Sequence, residues 1–244
     1  MNVIQQFEPR MHADSVPGFR RLIAQARVRD SILLNERAMT RMVTQINWML
    51  RRVGDGGIRL TKAGHLPPSV VVEATTELDW GWPVSVNRES HISPLLEMRL
   101  HMRDIGLLRL SKGVLVRTVK GKGLTDSPRA LWWFLAKTVH QSRIPEVSDA
   151  TQLLLLFIAT RTLDQSQEYL VAVARGLDTI GWAEPNGDPV TEMRVQRLII
   201  EKWRLLNRLG VFEPTKDWYG NTWTPSVGGA AFARAALQTE IAPS

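Results

Sequence analysis

The side chains best equipped for metal or acid–base chemistry are His12, His65, His91, His101 and His140. No two of them stand four residues apart, the spacing that sets a ligand pair on one helical face. His91 and His101 fall in one helical stretch, but ten residues of helix separate them by about 15 Å along the axis. The chain has no cysteine, which removes thiolate catalysis, zinc ribbons, iron–sulfur ligation and disulfides together. Gly121-Lys122-Gly123 has the look of a nucleotide loop. Asp126, however, stands at the third glycine position and no phosphate-loop lysine–threonine follows, so it reads as the exit turn of a hairpin. There is no G-x-S-x-G elbow. Asp55, set among glycines, reads as a turn former rather than a cation ligand. The expectation is a protein that is not an enzyme and takes no cofactor and no metal.

Charge offers the positive signal. The net charge is +7, from 31 basic and 24 acidic residues. Residues 1–54 carry nine arginines against four acids, residues 55–143 thirteen basic groups against eight acids, and residues 144–244 nine against twelve. A basic excess confined to part of a chain attracts phosphate backbones through counterion release, although it also serves plain solubility. No acid occurs between Ile105 and Thr125, where Arg109, Lys112, Arg117, Lys120 and Lys122 do. A basic hairpin beside a helix suits phosphate tracking; a solvated strand edge that resists aggregation has the same composition. Farther on, Arg194, Arg197, Glu201, Arg204 and Arg208 form a stripe opposite Leu198, Leu205, Leu206 and Leu209. It fits a recognition helix, and equally an ordinary exposed face in a net-acidic region.

The elements that must position these residues follow from periodicity. A short helix opens near Pro17, and a longer one is expected over residues 31–53, ended by Gly54-Asp55-Gly56-Gly57. Ile58-Arg59-Leu60 reads as an edge strand, Pro67 and Pro68 as the first turn of a helix to residue 78, and residues 80–88 as a loop. A helix over 92–105 stops at Gly106, followed by strands at 107–110 and 114–119 and a helix over 127–139. After a linker at 140–148 come helices at 149–160, 165–179 and 192–209. Asp164 and Gln167 fit a capping pair for the second of these. Strands follow at 211–213 and 222–224, with a last helix at 229–237. The nine tryptophans are expected mostly in packing, with Trp218 and Tyr219 exposed at a second hairpin tip.

Residues 103–108 can be laid on 207–212, both running into a glycine stop and a hairpin. Helices followed by a glycine stop and a two-stranded wing are the winged variant of helix-turn-helix. The expected fold is therefore mainly α with small β-hairpins, as tandem winged helix-turn-helix modules: an extension over 1–30, a first module over 31–143 and a second over 144–244.

Residues 53–136 resemble the C-terminal region of actinobacterial proteins of the plasmid open-reading-frame-three type, some of them passengers of transposable elements. The residues that carry this are the run from Gly54-Asp55-Gly56-Gly57 through Thr61-Lys62-Ala63-Gly64-His65-Leu66-Pro67-Pro68, Asn87-Arg88-Glu89, and the stretch from Gly106-Leu107 to Leu131-Trp132. The similarity covers about a third of the chain and lacks the domain that usually stands in front. It implies an actinobacterial, mobile-element setting and no chemistry.

The expected function is DNA binding, as a transcriptional regulator or mobile-element accessory factor. Its partner would be double-stranded DNA, held by Arg99, Arg103, Arg109, Lys112, Arg117, Lys120, Lys122, Arg194, Arg197 and Arg204. The alternative is a protein-interaction scaffold of winged helices, with a partner docking through Trp218 and Tyr219. The longest apolar run, residues 153–159, is too short to span a bilayer, and residues 1–17 show no secretory pattern. A cytoplasmic location without membrane attachment is expected.

Overall fold

The computed structural model describes residues 3–78, 86–213 and 222–239, and shows a mainly helical chain with a small three-stranded antiparallel sheet. Two compact units separate by their contacts: residues 43–132, and residues 1–42 together with 133–244. This partition differs from the expected one at the N-terminus. Helix α1 (Val16–Gln25) and the turns before it belong to the unit of the C-terminal residues, not to a separate extension. Polar contacts tie them in: Arg10 pairs with Asp149 at 2.6 Å, and Gln6 donates to Gln152 at 2.8 Å.

Helix α2 (Glu36–Val53) starts later than residue 31 because Asn35 caps it, its Oδ1 accepting the Ala38 N–H at 2.8 Å. Within the 43–132 unit its inner stripe is Val43, Ile46, Met49, Leu50 and Val53, all buried. Strand β1 (Ile58–Arg59) follows, then α3 (Pro68–Glu77), with proline at its first turn, and α4 (Ser93–Asp104), which buries Leu95, Met98 and Met102. Strands β2 (Leu108–Ser111) and β3 (Val114–Arg117) form a hairpin across Lys112-Gly113, at φ 49° and 77°. Two successive positive φ values match the right-handed strand twist. The sheet order is β1-β3-β2, with Leu115 of β3 opposite both Ile58 and Leu110.

Residues 119–125 correct the expectation of a strand end and exit turn. They form a short helix, α5 (Val119–Thr125), in which Thr118 Oγ1 accepts the Gly121 N–H at 3.0 Å. The threonine cap starts the helix despite its two glycines. Helix α6 (Pro128–Thr138) is capped by Ser127, as the proline at its first position suggested.

In the other unit α7 (Pro145–Thr160) begins four residues earlier than expected, at Pro145, so the linker is shorter. Leu153, Leu154, Leu155, Leu156 and Ile158 are all buried, because α8 (Ser166–Thr179), α9 (Glu192–Arg208) and α10 (Val227–Gln238) pack around it. The cap of α8 falls one residue after the expected pair. Gln165 and Glu168 form a reciprocal capping box, with Glu168 Oε2 also accepting from Asp164 N. Of the expected second pair of strands, the described residues show single bridges only: Phe212 opposite Pro225, and Gln165 opposite Thr222. Trp218 and Tyr219 lie outside the described residues, as do Trp80 and Trp82. Trp203 stacks on Trp223 beside Phe212 and Tyr169, in keeping with a packing role for tryptophan.

One corner is built twice, once in each unit. Gly106 (φ 73°) ends α4, Leu107 N–H donates to Met102 O at 2.8 Å, and Thr118 N–H donates to Leu107 O at 3.0 Å. Thr118 Oγ1 donates to Gly106 O and accepts from Gly121 N–H. In the second copy Gly210 (φ 67°) ends α9, Val211 N–H donates to Leu206 O at 3.0 Å, and Ser226 N–H donates to Val211 O at 2.9 Å. Ser226 Oγ donates to Gly210 O and accepts from Gly229 N–H. The glycine that follows has the same reason in both. A Cβ on Gly121 would run into Leu107 O, and one on Gly229 into Val211 O.

Candidate nucleic-acid interface

The ten expected contact residues divide sharply by environment. Arg99 is 2 % exposed and belongs to the core. Its Nε and Nη2 donate to Glu89 at 2.6 and 2.9 Å, and Nη2 also reaches Gly64 O at 3.3 Å. Glu89 in turn accepts Leu66 N–H at 2.9 Å. A buried guanidinium saturated by a carboxylate does not reach a phosphate. The expectation for Arg99 is corrected: it is a strut joining α4 to the loop before α3. Arg99 stands four residues, about one helical turn, before Arg103, and nothing in periodicity announces a buried ion pair. Arg103, at the last turn of α4, is exposed. The outer side of this helix also shows Leu100, 41 % exposed, and Asp104.

Arg117 is likewise structural, its side chain only 12 % exposed. Its Nε donates to Gly54 O at 3.0 Å, Nη1 to Thr125 Oγ1 at 3.1 Å and Nη2 to Asp55 Oδ1 at 3.0 Å. It thereby ties the turn that ends α2 to the C-terminal end of α5. Lys122 is exposed but also meets Asp55 Oδ1 at 3.0 Å. The hydrogen bonds from Lys122 and Arg117 hold the Asp55 carboxyl below its ordinary value. Asp55 is thus a turn former with two cationic partners in space. Lys120 is exposed on the same short helix.

The sheet gathers the cations that remain. Directly opposed residues of an antiparallel pair share a face, and neighbours along a strand alternate. Ile58, Leu108, Leu115 and Arg117 therefore point inward, and Arg59, Arg109, Ser111, Val114 and Val116 outward. Arg59 stands opposite Val114 and Arg109 opposite Val116, with Lys112 at the turn. The Arg59 guanidinium reaches over Gly113. Arg59, Arg109 and Lys112 are exposed, and their side chains make no hydrogen bond or ion pair among the described residues. Sequence reasoning missed Arg59. Only the β1–β3 register, between residues more than fifty positions apart, brings it to this face. Gly57 is the nearest clue: at φ 72° it lies under Val114 and Val116, where any Cβ would collide.

In the other unit the arginine stripe separates as well. Arg194 is bound to Glu146 at 2.7 Å and to Glu184 at 3.2 Å, and its Nη1 donates to Ala183 O at 2.8 Å. The hydrogen bond that it donates to Glu146 raises its pKa. Arg194 therefore joins α9 to α7 and is corrected from a contact residue to a tie. Arg197 and Arg204 are exposed.

Among the described residues no cluster of three or more metal-ligating side chains occurs, and no helix is long and apolar enough to cross a membrane. In comparisons with known proteins the chain matches no family model, no curated protein and no solved structure.

Proposed function

We propose that the chain is a non-enzymatic DNA-binding protein of two winged-helix units, in which residues 43–132 hold the phosphate backbone. The observation that carries this reading is the outward face of the sheet, where Arg59, Arg109 and Lys112 stand unpaired around the hairpin. The order of helix, strand, two helices and hairpin, with β1 on β3, supports a wing, and the repeated glycine–hydroxyl corner supports the pairing of the two units. A unit with thirteen basic against eight acidic side chains adds the long-range attraction. The contacts would be to phosphate and so positional rather than sequence-reading. A role in transcription regulation or in a mobile element, in the cytoplasm, rests on this reading and on the resemblance of residues 53–136.

The test is fluorescence polarisation of random duplex DNA against the full chain at several salt concentrations. Binding that falls steeply with salt supports the proposal, and binding absent at low salt removes it. A second reading is favoured by a separate observation. The exposed side of α4 offers Leu100, and β2 offers Leu110 at 45 %, which suits a protein partner better than a DNA groove. An intact sheet face with no DNA affinity would point there.

A further inference from the structure

Within the unit of residues 1–42 and 133–244, an open cleft of about 810 Å³ is lined by the turns before α1, by Arg20, Ile23 and Ala24 of α1, and by the turn at residues 27–30. Each wall is tied down. Arg10 and Gln6 bond to Asp149 and Gln152 of α7, and the buried Phe7 ring meets Phe19 of α1 edge-on at 6.1 Å. The 27–30 turn is held by α10, where Gln238 Nε2 donates to Val28 O at 2.8 Å and to Asp30 O at 2.6 Å. Asp30 N–H donates to Arg27 O at 3.0 Å and closes the turn, in which Arg27 stands at φ 53°. A left-handed residue that carries a side chain costs of order 1 kcal/mol and persists only where its surroundings hold it. The product of this turn is Arg29, set on the lining of the cleft.

The charges that line the cleft do not balance. Its carboxylates are Glu8 and Asp30, against the guanidiniums of Arg20, Arg27 and Arg29. Arg20 bonds Glu8 at two points, 2.8 and 3.2 Å, and Arg27 bonds Asp30 at 2.6 Å. Arg29 is exposed, and its side chain makes no hydrogen bond or ion pair among the described residues. Pro9, Ile23, Ala24 and Val28 supply apolar lining in the same cleft. Small-molecule sites commonly have this size, with apolar side chains and a few placed polar groups. A guanidinium fork matches the paired oxygens of a carboxylate. One uncompensated positive charge suits such a monoanion better than a phosphate ester, which carries nearly two negative charges. We infer that this cleft binds a small amphipathic carboxylate, with its anionic end on Arg29 and its apolar body along Ile23, Ala24 and Val28. The site is separate from the sheet face and does not depend on DNA binding.

The experiment is a calorimetric titration of the full chain, at constant ionic strength, with 1-naphthoate and with octanoate, each beside its neutral amide. Saturable binding of one carboxylate per chain is expected. Naphthoate as the tighter ligand identifies a flat body and octanoate a flexible one, and either supports the site. The matching amide should bind roughly tenfold more weakly, and acetate, which has the charge without the body, should not saturate. Arg29→Gln should weaken the carboxylate by roughly the same tenfold and leave the amide as it was. Its thermal midpoint should not move, because Arg29 is exposed and unbonded. Arg21→Gln, exposed on the same helix but outside the cleft, should bind as the native chain does. Saturation by neither carboxylate, equal binding of acid and amide, or a loss in Arg21→Gln as large as in Arg29→Gln overturns the inference.

Discussion

Glu89 and Arg99, ten residues apart, form a two-point ion pair at 2.6 and 2.9 Å in which the carboxylate is fully shielded and the guanidinium nearly so. Breaking it from one side strands a charge in the core. Arg99→Leu should cost about 3–5 kcal/mol in urea-induced unfolding, whereas Glu89→Leu with Arg99→Leu should recover much of that loss. An Arg99→Leu protein of unchanged stability would show that the pair is not the strut described.

The duplicated corner makes a matched forecast in the two units. Gly121→Ala and Gly229→Ala each push a methyl into a backbone carbonyl, Leu107 O and Val211 O, which cannot swing aside. Each should destabilise its unit by more than about 2 kcal/mol. Gly123→Ala, in the same short helix with open space around it, should be neutral or stabilising by up to about 1 kcal/mol. Thermal unfolding of the three variants separates carbonyl contact from helix propensity.

His140 adds a pH term. Burial, with the nearby charge of Lys202 second, lowers its pKa from 6.5 to about 4. Below the higher value the unfolded chain takes up a proton that the folded chain does not. The contribution is therefore absent above about pH 6.5, and stability is lost as pH falls toward 4, by up to about 3 kcal/mol. The urea midpoint should drop between pH 7 and pH 5, and by clearly less in His140→Gln.

Much of the fold was legible in the sequence. Pro68, Pro128 and Ser127 marked helix starts, Gly54, Gly106 and Gly210 marked stops, and Lys112-Gly113 marked the hairpin, because each of these residues acts through its own backbone or within one turn. Legibility failed where a distant partner decides. Arg99, Arg117 and Arg194 carry the composition of a basic surface, yet Glu89, Asp55 with Gly54 O, and Glu146 with Glu184 claim them. Conversely Arg59, unremarked in a two-residue strand, gains its place from pairing with Val114. The glycines of 121–123 suggested a turn, and the cap from Thr118 overrode them.

Those reassignments separate stability from binding. Arg117→Gln should destabilise by about 2 kcal/mol through lost contacts to Gly54, Asp55 and Thr125, and leave the salt dependence of DNA binding as it was. A flattened salt slope in a folded Arg117→Gln protein would return that residue to the contact set.

The most direct test of the DNA-binding proposal is the salt slope of full-length protein on random duplex, compared between the native chain and the Arg59→Ala, Arg109→Ala, Lys112→Ala variant. The sheet face lies outside the core, so the variant should fold with an unchanged unfolding midpoint. Binding should weaken on every sequence alike, and the slope of log affinity against log salt should flatten by about three units, roughly one per lost phosphate contact. Native affinity and an unaltered slope in the triple variant would contradict the assignment of this face to the phosphate backbone.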